Sequence, residues 1–308
     1  MSSAIQIRMG GYGPESTGFS RALKLIGNEI TSALGDAVDI KYVWNIMDLG
    51  YRAEDILWLV EHGLLTLGYQ SSSYLTARVP ELGIADLPFL FASTQAALAA
   101  MDGALGGALA GAIEARTGFR ILGWFENGFR QISNRLRPVR RPADLAGMRI
   151  RVLPSKVQAR TFELLGAVPM PMDLTEAIAM IKAGQIDAQE NPLSNTVTYG
   201  VHRFHRFHSL TNHFYISRPV FIHRAAFDAW PGDVQAAMRS AVAKAIAFQR
   251  DLHVREEEDA HAAIASEGCE IADLAPQQHA EFAACVAPLR DEVARTFGEK
   301  LLGLAAVG

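Results

Sequence analysis

Two kinds of segment alternate along the first part of the chain. Short apolar runs with the period of two that is typical of strands are followed by segments with helical spacing. Residues 4–9 predict a first strand, and the glycine-rich loop 10–14 leads into a helix that begins near Ser16 or Thr17. The same patterns predict helices over residues 53–62 and 94–115 and further strands over residues 38–43, 64–69, 86–91 and 119–125. This alternation predicts a mostly parallel sheet covered by helices.

The pattern changes character after Asn127-Gly128, where we place a crossover to a second lobe. The second α/β series is predicted to contain a strand over 148–153, helical segments over 161–165 and 174–183, an amide-rich loop over 188–195 and a strand over 214–223. Pro231 then begins a helix of about 35 residues, long enough to bridge two lobes. A final helix completes the chain.

Composition limits the classes of protein that fit. With 308 residues, of which 49% are hydrophobic, the chain is long enough to bury the cores of two lobes. The formal net charge of -4 comes from 29 basic and 33 acidic residues spread along the chain, so no basic stripe indicates a nucleic-acid or lipid surface. We therefore expect no nucleic-acid partner, and a bound anion must be held by a few local cations.

The chain shows no targeting or membrane-spanning segment. No apolar run approaches the ~20 residues that span a bilayer, and residues 1–7 lack the charged, apolar and cleavage regions of a signal peptide. Two interpretations stay open: a cytoplasmic protein, and an exported protein whose leader is absent from this sequence. Composition does not choose between them.

Cysteine, histidine and known motifs predict neither a metal centre nor a common enzyme. Cys269 and Cys285 form no CxxC pattern, so we expect two small buried residues, with a disulfide in an oxidising compartment as the alternative. No cysteine or carboxylate completes a ligand set with the four closely spaced histidines, which are His202, His205, His208 and His213. GxSxG, HExxH, P-loop and GxGxxG motifs are absent as well. We expect no metal and no cofactor.

Open α/β sheets bind ligands beyond the carboxyl ends of their strands, so candidate site residues should follow predicted strands. The segments that qualify are 10–16, 69–74, 124–134, 149–155 and 189–195. Arg151 lies near a strand end, and its planar guanidinium can donate two parallel hydrogen bonds to a carboxylate. On spacing alone, a salt bridge is the more frequent role of such an arginine.

Further candidates are polar or aromatic. Arg130 follows a strand and could add a second positive charge, with a solvated loop arginine as the alternative. Asn191 offers one acceptor and two donors for a ligand oxygen, or serves turn chemistry before Pro192. Aromatic walls could come from four residues that core packing explains equally well: Tyr12, Tyr69, Trp124 and Phe214.

Several strings of the sequence, taken together and in order, resemble one known family. They are Asp86-Leu-Pro-Phe-Leu-Phe91, Asn127-Gly-Phe-Arg-Gln-Ile-Ser-Asn134, Pro142-Ala-Asp-Leu-Ala-Gly-Met-Arg-Ile-Arg-Val152, Asp187-Ala-Gln-Glu-Asn-Pro192 and Thr211-Asn-His213. The family is the solute-binding proteins of tripartite ATP-independent periplasmic (TRAP) transporters, of the C4-dicarboxylate-binding type. The likeness covers nearly the whole chain.

The resemblance implies roles for the polar candidates and a fold. In the family, the arginine that matches Arg151 forms the salt bridge to the ligand carboxylate, and the residues that match Arg130 and Asn191 line the pocket. The implied fold is α/β, a two-lobe periplasmic-binding-protein fold with mostly parallel sheets, hinge strands and a long bridging helix. We place the ligand cleft between lobe I, residues 1–126 and 213–252, and lobe II, residues 127–212 and 253–308.

The resemblance also implies a function. Such a protein captures a small organic carboxylate in the periplasm and delivers it, as a monomer and without chemistry, to the membrane subunits of a transporter. Two loops vary with substrate in the family, and here they are residues 10–17, which include Glu15, and residues 69–74. They do not decide the identity of the ligand, which could be a hydroxy or oxo acid, a sugar acid or an aromatic acid. A sensory ligand-binding protein of the same fold stays open as an alternative function. So does an enzyme that uses Glu15 or Glu190 on a bound carboxylate.

Overall fold

The computed structural model describes residues 4–306, which fold into strands and α-helices joined by turns and short 3₁₀ helices. The strands are β1 (Ile5–Gly10), β2 (Val38–Val43), β3 (Leu67–Tyr69), β4 (Phe119–Phe129), β5 (Gln131–Asn134), β6 (Arg149–Val152), β7 (Val168–Pro171), β8 (Ala188–Asn191), β9 (Phe207–Leu210), β10 (Tyr215–His223) and β11 (Glu270–Asp273). The helices are α1 (Gly18–Leu34), α2 (Asp55–Glu61), α3 (Thr94–Asp102), α4 (Ala104–Arg116), α5 (Lys156–Leu164), α6 (Leu174–Lys182), α7 (Leu193–Thr198), α8 (Arg224–Ala229), α9 (Gly232–Ser266), α10 (Pro276–Val286), α11 (Pro288–Phe297) and α12 (Glu299–Gly303).

The strands form two sheets, one in each lobe. The first has the order β2-β1-β3-β10-β4, with β1 parallel to β2 and β3, and with β10 antiparallel to β3 and β4. The second has the order β11-β9-β5-β8-β6-β7, in which the two pairs made by β5 are antiparallel. The predicted α/β fold of two lobes is confirmed, and the antiparallel pairs arise where the chain crosses between the lobes.

Helix α1 shows how the sequence pattern builds the first lobe. Thr17 caps the helix, because its hydroxyl accepts a hydrogen bond from the backbone amide of Ser20 at 3.3 Å. One face of the helix carries apolar side chains at helical spacing, and this face packs into the core beneath the first sheet. Its residues are Phe19, Leu23, Ile26 and Ile30. This packing fixes the loop before α1, which faces the cleft.

The second sheet has a core of its own, but the end of the chain returns to the first. Ile132 of β5 and Ile150 of β6 pack with Phe162 of α5. By contrast, Leu289 of α11 and Leu302 of α12 belong to the core of the first lobe. The sequence-based division assigns residues 253–308 to lobe II; in the structure, α11 contacts α5 of the second lobe, and residues 304–306 contact α3 and α4 of the first.

The long helix α9 bridges both lobes, as its length predicts. Its first half packs on α1 and β4, with Met238 and Val242 in the core of the first lobe. Its second half packs on α7 and β11, with Ile264 in a separate apolar cluster. Between the halves, the Gln249 side chain accepts from the amide of Glu126 at 2.9 Å and donates to its carbonyl at 2.8 Å, so the helix is pinned beside the crossover.

Besides α9, two strand segments cross between the lobes and are hydrogen-bonded to each other. The first joins β4 to β5 and the second joins β9 to β10. The amide of Arg130 donates to the carbonyl of Phe214 at 2.9 Å. Gln131 and Asn212 exchange two further hydrogen bonds, side chain to side chain at 2.6 Å and amide to side chain at 3.0 Å. These pairs make one hinge from two strands.

The lobes are in contact across the cleft, so the structure shows a closed arrangement. The amides of Ala53 and Glu54 in the first lobe donate to Thr175 Oγ1 and Asp173 Oδ2 in the second, both at 3.0 Å. On the same side, Gln158 Nε2 donates to Ser73 Oγ at 3.0 Å. Each bond needs both lobes, so opening the cleft would break all of them.

The two cysteines are free, and they differ in exposure. Cys269 is half-buried, and Cys285 is exposed, which corrects the expectation of two buried thiols. The reason is helical geometry, because α10 buries Phe282 and Val286 on one face and leaves Cys285 on the other. Among residues 4–306, no single helix is long and apolar enough to cross a membrane, and α3 with α4 passes that test only as a pair bent by 52°.

Gly128 tests the hinge, since it lies on β4 with φ +81° and a Cβ there would meet the His253 ring. We expect Gly128→Ala to lower the free energy of unfolding by about 1–3 kcal/mol, through backbone strain and overpacking. Gly107→Ala is the matched control on the exposed face of α4, where a Cβ meets no atom within 4 Å. It should stabilise by about 0.5–1 kcal/mol. Urea denaturation measures both, and an unchanged Gly128→Ala protein would contradict the expected strain.

Candidate ligand-binding site

The site residues meet where the carboxyl ends of β6 and β8 face the first lobe. Strand β6 runs parallel to β8, with Arg151 paired in register to Gln189. Strand β5 runs antiparallel to β8, with Gln131 opposite Asn191, so Arg130 at the start of β5 reaches the same edge. The sheet register therefore brings together Arg151, Arg130 and Asn191, which lie in three separate segments of the sequence.

Arg151 is buried, with 1% of its surface exposed, and it has only neutral partners. Its Nε and Nη2 donate to the carbonyl of Met172 at 3.2 and 3.0 Å, and Nη2 also donates to the Tyr74 hydroxyl at 3.0 Å. Among residues 4–306, no carboxylate oxygen lies within 4.0 Å of a guanidinium nitrogen of Arg151, the distance that defines a salt bridge. The protein thus fixes this guanidinium in place and leaves its charge uncompensated.

Tyr74 ties the arginine to the opposite lobe. Its hydroxyl oxygen accepts hydrogen bonds from Arg151 Nη2 and from the amide of Leu174, each at 3.0 Å. Burial raises the pKa of Tyr74, and Arg151 offsets this only in part, so the hydroxyl keeps its proton. With both acceptor positions used, that proton is available for donation to a ligand oxygen.

Arg130 differs from Arg151, because its charge is already paired. Its Nε and Nη2 donate to both carboxylate oxygens of Glu190, and Nη2 also donates to the Glu190 carbonyl at 2.7 Å. Both side chains are buried. Burial alone would raise the pKa of Glu190, but Arg130 and then His213 hold it below its usual range. Burial lowers the pKa of His213, whose Nε2 lies 3.7 Å from Glu190 Oε2, so the group carries no net charge.

Asn191 belongs to a buried network of side-chain amides. Its Nδ2 donates to Gln189 Oε1 at 3.4 Å, and its Oδ1 accepts from Asn195 Nδ2 at 3.2 Å. Asn195 Nδ2 also donates to Asn127 Oδ1 at 3.0 Å, while Asn127 Nδ2 has no partner among the described residues. Partly satisfied amides of this kind can hydrogen-bond ligand hydroxyl or carbonyl groups.

These groups surround a small cavity between the lobes. It is lined by Tyr12, Gln70, Ser71, Tyr74, Arg130, Arg151, Leu153, Leu174, Asn191, Asn195, Tyr199 and Arg218. An adjoining, more open recess shares Asn195, Tyr199 and Arg218 with it. Three arginines and no acidic side chain line the cavity, so its chemistry favours an anion that also carries hydrogen-bonding oxygens.

Arg218 is the arginine that sequence reasoning missed. It lies on β10 in the first lobe and is buried. Its guanidinium carbon is 4.1 Å from the ring centroid of Phe19, 5.2 Å from that of Tyr12 and 5.8 Å from that of Tyr69. The sequence carried a signal, since Arg218 is the one charged residue in the strand-like run 214–222. Tyr199 was also missed as a cavity residue, and Tyr74 lay in the candidate segment 69–74 without being singled out.

The other sequence candidates divide between the cavity and the protein interior. Tyr12 lines the cavity, and Tyr69 stacks on Phe19 behind it, with ring centroids 5.1 Å apart. Trp124 lies elsewhere, beside α9 and α4, because β4 turns it to the outer face of its sheet. Phe214 packs against Phe162 in the second core.

Glu15 also lies outside the cavity, on the surface of the first lobe. Its side chain is 54% exposed and pairs with Lys24 at 3.1 Å. The four histidines are buried. Burial lowers the pKa of His205 to about 3 and that of His208 to about 4. Within residues 4–306, no group of three or more His, Cys, Asp or Glu side chains is arranged to hold a metal ion.

The site and fold match a known family. Residues 47–296 match the profile of the DctP family, the bacterial extracellular solute-binding proteins of family 7. The chain belongs to this family. Proteins of family 7 are extracellular solute-binding proteins, and several relatives of this chain are named as periplasmic.

Family 7 relatives cover most of the chain. A solute-binding protein of Verminephrobacter eiseniae is 29% identical over 281 residues, which are 91% of this chain and 82% of the relative. The 2,3-diketo-L-gulonate-binding periplasmic protein YiaO of Escherichia coli is 31% identical over 207 residues, 67% of this chain and 63% of that protein. Among solved structures, the sugar acid binding protein of Advenella mimigardefordensis in complex with galactonate has a TM-score of 0.92 at 25% identity, covering 99% and 98% of the two chains.

The Arg130–Glu190 pair predicts a large stability effect. Glu190→Gln would leave a buried guanidinium without its carboxylate, and we expect the free energy of unfolding to fall by about 3–5 kcal/mol at pH 7. Because the pKa of Glu190 is lowered in the folded state, this contribution is present above its unfolded pKa of about 4.3 and is lost as the pH falls through the folded value.

The control is Glu163→Gln, which removes an exposed ion pair to Arg160 and should change stability little. Urea denaturation at several pH values measures both variants. A Glu190→Gln protein as stable as the parent at pH 7 would show that the pair is not a structural one.

Proposed function

We propose that this protein captures a small organic carboxylate at Arg151 in the periplasm and delivers it to the membrane subunits of a TRAP transporter. The observation that supports this is the guanidinium of Arg151, which is buried in a cleft between two lobes and has no carboxylate partner within residues 4–306. A buried, uncompensated charge is costly, by several kcal/mol. A ligand carboxylate that pairs with it recovers much of that cost, which gives the site its preference for acids.

The surrounding groups fit the rest of such a ligand. The Tyr74 proton and the amide side chains of Asn191 and Asn195 lie around the cavity as hydrogen-bonding groups. The cavity is small, which favours a compact acid. The relatives named for 2,3-diketo-L-gulonate and galactonate bind acids of this kind. We infer that the ligand is a small acid that carries hydroxyl or oxo groups.

Binding without conversion fits the state of the acidic residues. Glu190, a buried carboxylate next to Asn191, is held by Arg130 with a lowered pKa, which makes it a weak base. Glu15 is paired with Lys24 on the surface. A sensory protein of this fold would bind in the same way, and its partner would be a receptor rather than transporter subunits. A pull-down with the membrane proteins encoded by neighbouring genes separates these two roles, because only a transport protein should bind transporter subunits.

Arg151 is the residue whose loss should affect binding most. Arg151→Ala leaves the ligand carboxylate in a closed cleft without its partner, so we expect an affinity loss of roughly 30-fold to several thousand-fold. Arg151→Lys should recover part of the loss, because an ammonium keeps the charge but not the two-pronged geometry. Titration calorimetry measures both, with the acid that gives the largest thermal shift in a ligand library.

Arg149→Ala is the matched control, two residues earlier on the same strand, where Arg149 pairs with Asp187 at 2.9 Å. It should bind within about threefold of the parent. Circular dichroism confirms that each variant is folded. A folded Arg151→Ala protein that also binds within about threefold of the parent would refute Arg151 as the anchor.

Closure of the lobes should depend on the ligand. The bonds from Ala53 and Glu54 to Thr175 and Asp173 form only when the cleft is closed, and a bound acid adds contacts to both walls. We expect the radius of gyration from small-angle scattering to decrease on ligand addition, and not to decrease for Arg151→Ala at the same concentration. Equal profiles with and without saturating ligand would contradict ligand-driven closure.

A further inference from the structure

We propose that the end of the second lobe that faces away from the ligand cleft is a membrane-contact surface, which fits the anionic phospholipid headgroups of a bilayer. We call this surface the basic pole. It consists of exposed arginines and of exposed apolar side chains that lie among them. The arginines are Arg135, Arg137, Arg140, Arg141, Arg149, Arg203 and Arg206, and the apolar residues are Leu136, Val168 and Phe204.

The register of the second sheet places the basic pole opposite the cleft. The ligand cavity lies at the carboxyl ends of β6 and β8. At the other end of the sheet, Asn134 of β5 pairs with Phe207 of β9 and with Ala188 of β8. The residues just beyond this row come from separate segments of the sequence and lie side by side on neighbouring strands: Arg206, Arg135, Asp187 and Arg149. The even spread of charge along the sequence does not reveal this cluster.

Asp187 neutralises only part of the charge in this row, because two arginines share it. Its carboxylate pairs with Arg149 at 2.9 Å and with Arg135 at 2.8 Å. Arg149, and then Arg135, hold the pKa of Asp187 well below its usual range, so the carboxylate is ionised at neutral pH. One negative charge between two guanidinium groups leaves one positive charge uncompensated.

Two further arginines of the basic pole have no carboxylate partner. The Arg137 guanidinium donates to the backbone carbonyls of Asp144 and Ala146, at 2.8 and 3.1 Å. Among residues 4–306, no carboxylate oxygen lies within 4.0 Å of the guanidinium nitrogens of Arg137 or Arg206. The remaining arginines are paired, and the pairs are Arg140 with Glu270, Arg141 with Asp144 and Arg203 with Glu267. Counting also Glu281, which lies beside Arg140 and Arg141, seven arginines face five carboxylates, so the surface stays positive.

Large apolar side chains are exposed among these arginines. Leu136, Val168 and Phe204 keep 45%, 49% and 43% of their surface exposed. The side chain of Asn134 accepts hydrogen bonds from two successive amides after it, both at 2.9 Å, and this turn presents Leu136 to solvent. Each apolar side chain has an arginine beside it in the sequence or across the sheet: Arg137 follows Leu136, Arg203 precedes Phe204, and Arg149 pairs with Val168.

This mixture of apolar and cationic side chains favours a bilayer over a protein partner. The centre of a protein interface is depleted of charged residues, whereas here every exposed apolar side chain lies next to a guanidinium group. Proteins that lie on a membrane bury apolar side chains at the headgroup level and pair arginines with lipid phosphates. A nucleic acid also offers phosphates, but it would leave the aliphatic side chains of Leu136 and Val168 in water.

Membrane contact at the basic pole leaves the cleft free to open and close, because the two lie at opposite ends of the second sheet. The inference therefore goes beyond ligand capture and does not depend on Arg151. Under the proposed function, weak attachment to the bilayer would keep the protein close to the membrane subunits that receive its ligand.

Co-sedimentation with vesicles tests the inference. The probes are vesicles of phosphatidylglycerol and phosphatidylcholine in equal amounts, with pure phosphatidylcholine as the reference. We expect the wild-type protein to bind the anionic vesicles about tenfold or more tightly at about 50 mM salt, and to be released at about 0.5 M salt. Combining Arg137→Glu with Arg206→Glu should weaken binding to the anionic vesicles about tenfold or more.

The apolar contribution is tested by Leu136→Ser, which should weaken binding about threefold or more without changing its salt dependence. The matched control is Leu49→Ser, which alters a leucine of the first lobe that is 65% exposed. For the charge reversals, the control is Arg239→Glu, which changes an exposed arginine over the Phe227 ring, at 4.9 Å, in the first lobe. Both controls should bind as the parent does, and melting curves confirm that every variant folds.

Three results would overturn the membrane-contact surface. The first is equal binding to both kinds of vesicle, or binding to neither, at about 50 mM salt. The second is an equal loss of binding in Arg239→Glu and in the Arg137→Glu, Arg206→Glu protein, because the charge of the whole protein would then explain the attraction. The third is binding to a double-stranded oligonucleotide without binding to the anionic vesicles, which would assign the basic pole to nucleic acid.

Discussion

The guanidinium of Arg151 is the group on which the arrangement of this protein depends. Three hydrogen bonds to two groups, the Met172 carbonyl and the Tyr74 hydroxyl, hold it in place, and neither group carries a charge. Tyr74 belongs to the first lobe and Arg151 to the second, so the same contact that orients the arginine also joins the two walls of the cleft. A charge that is positioned, desolvated and unpaired is a binding site prepared for an anion.

The contrast with Arg130 shows that burial alone does not make a site. Both side chains are almost fully buried, but Glu190 pairs with Arg130 and makes it part of the scaffold. The resulting neutral pair holds the end of β8 against the start of β5, and it thereby places Asn191 beside the cavity. The Arg130–Glu190 ion pair thus stabilises the structure, and the unpaired Arg151 is available for binding.

The sequence predicted the elements better than it predicted the contacts between them. Local periodicity is enough to find α9 and the strand that carries Arg151, because helices and strands bury repeating faces. It could not separate Trp124 and Phe214, which pack away from the cavity, from Tyr12, which lines it, since the choice of face depends on sheet register. Arg218 was missed for a related reason: a lone charge in an apolar strand becomes meaningful only when Phe19, Tyr12 and Tyr69 are seen around it.

A crystal structure with the acid that raises the melting temperature most tests the central claim most directly. The account predicts a closed cleft in which both oxygens of a ligand carboxylate lie about 2.7–3.2 Å from nitrogens of the Arg151 guanidinium, with the Tyr74 hydroxyl donating to the ligand. A complex in which the acid lies outside the cleft, or turns its carboxylate away from Arg151, would contradict the account.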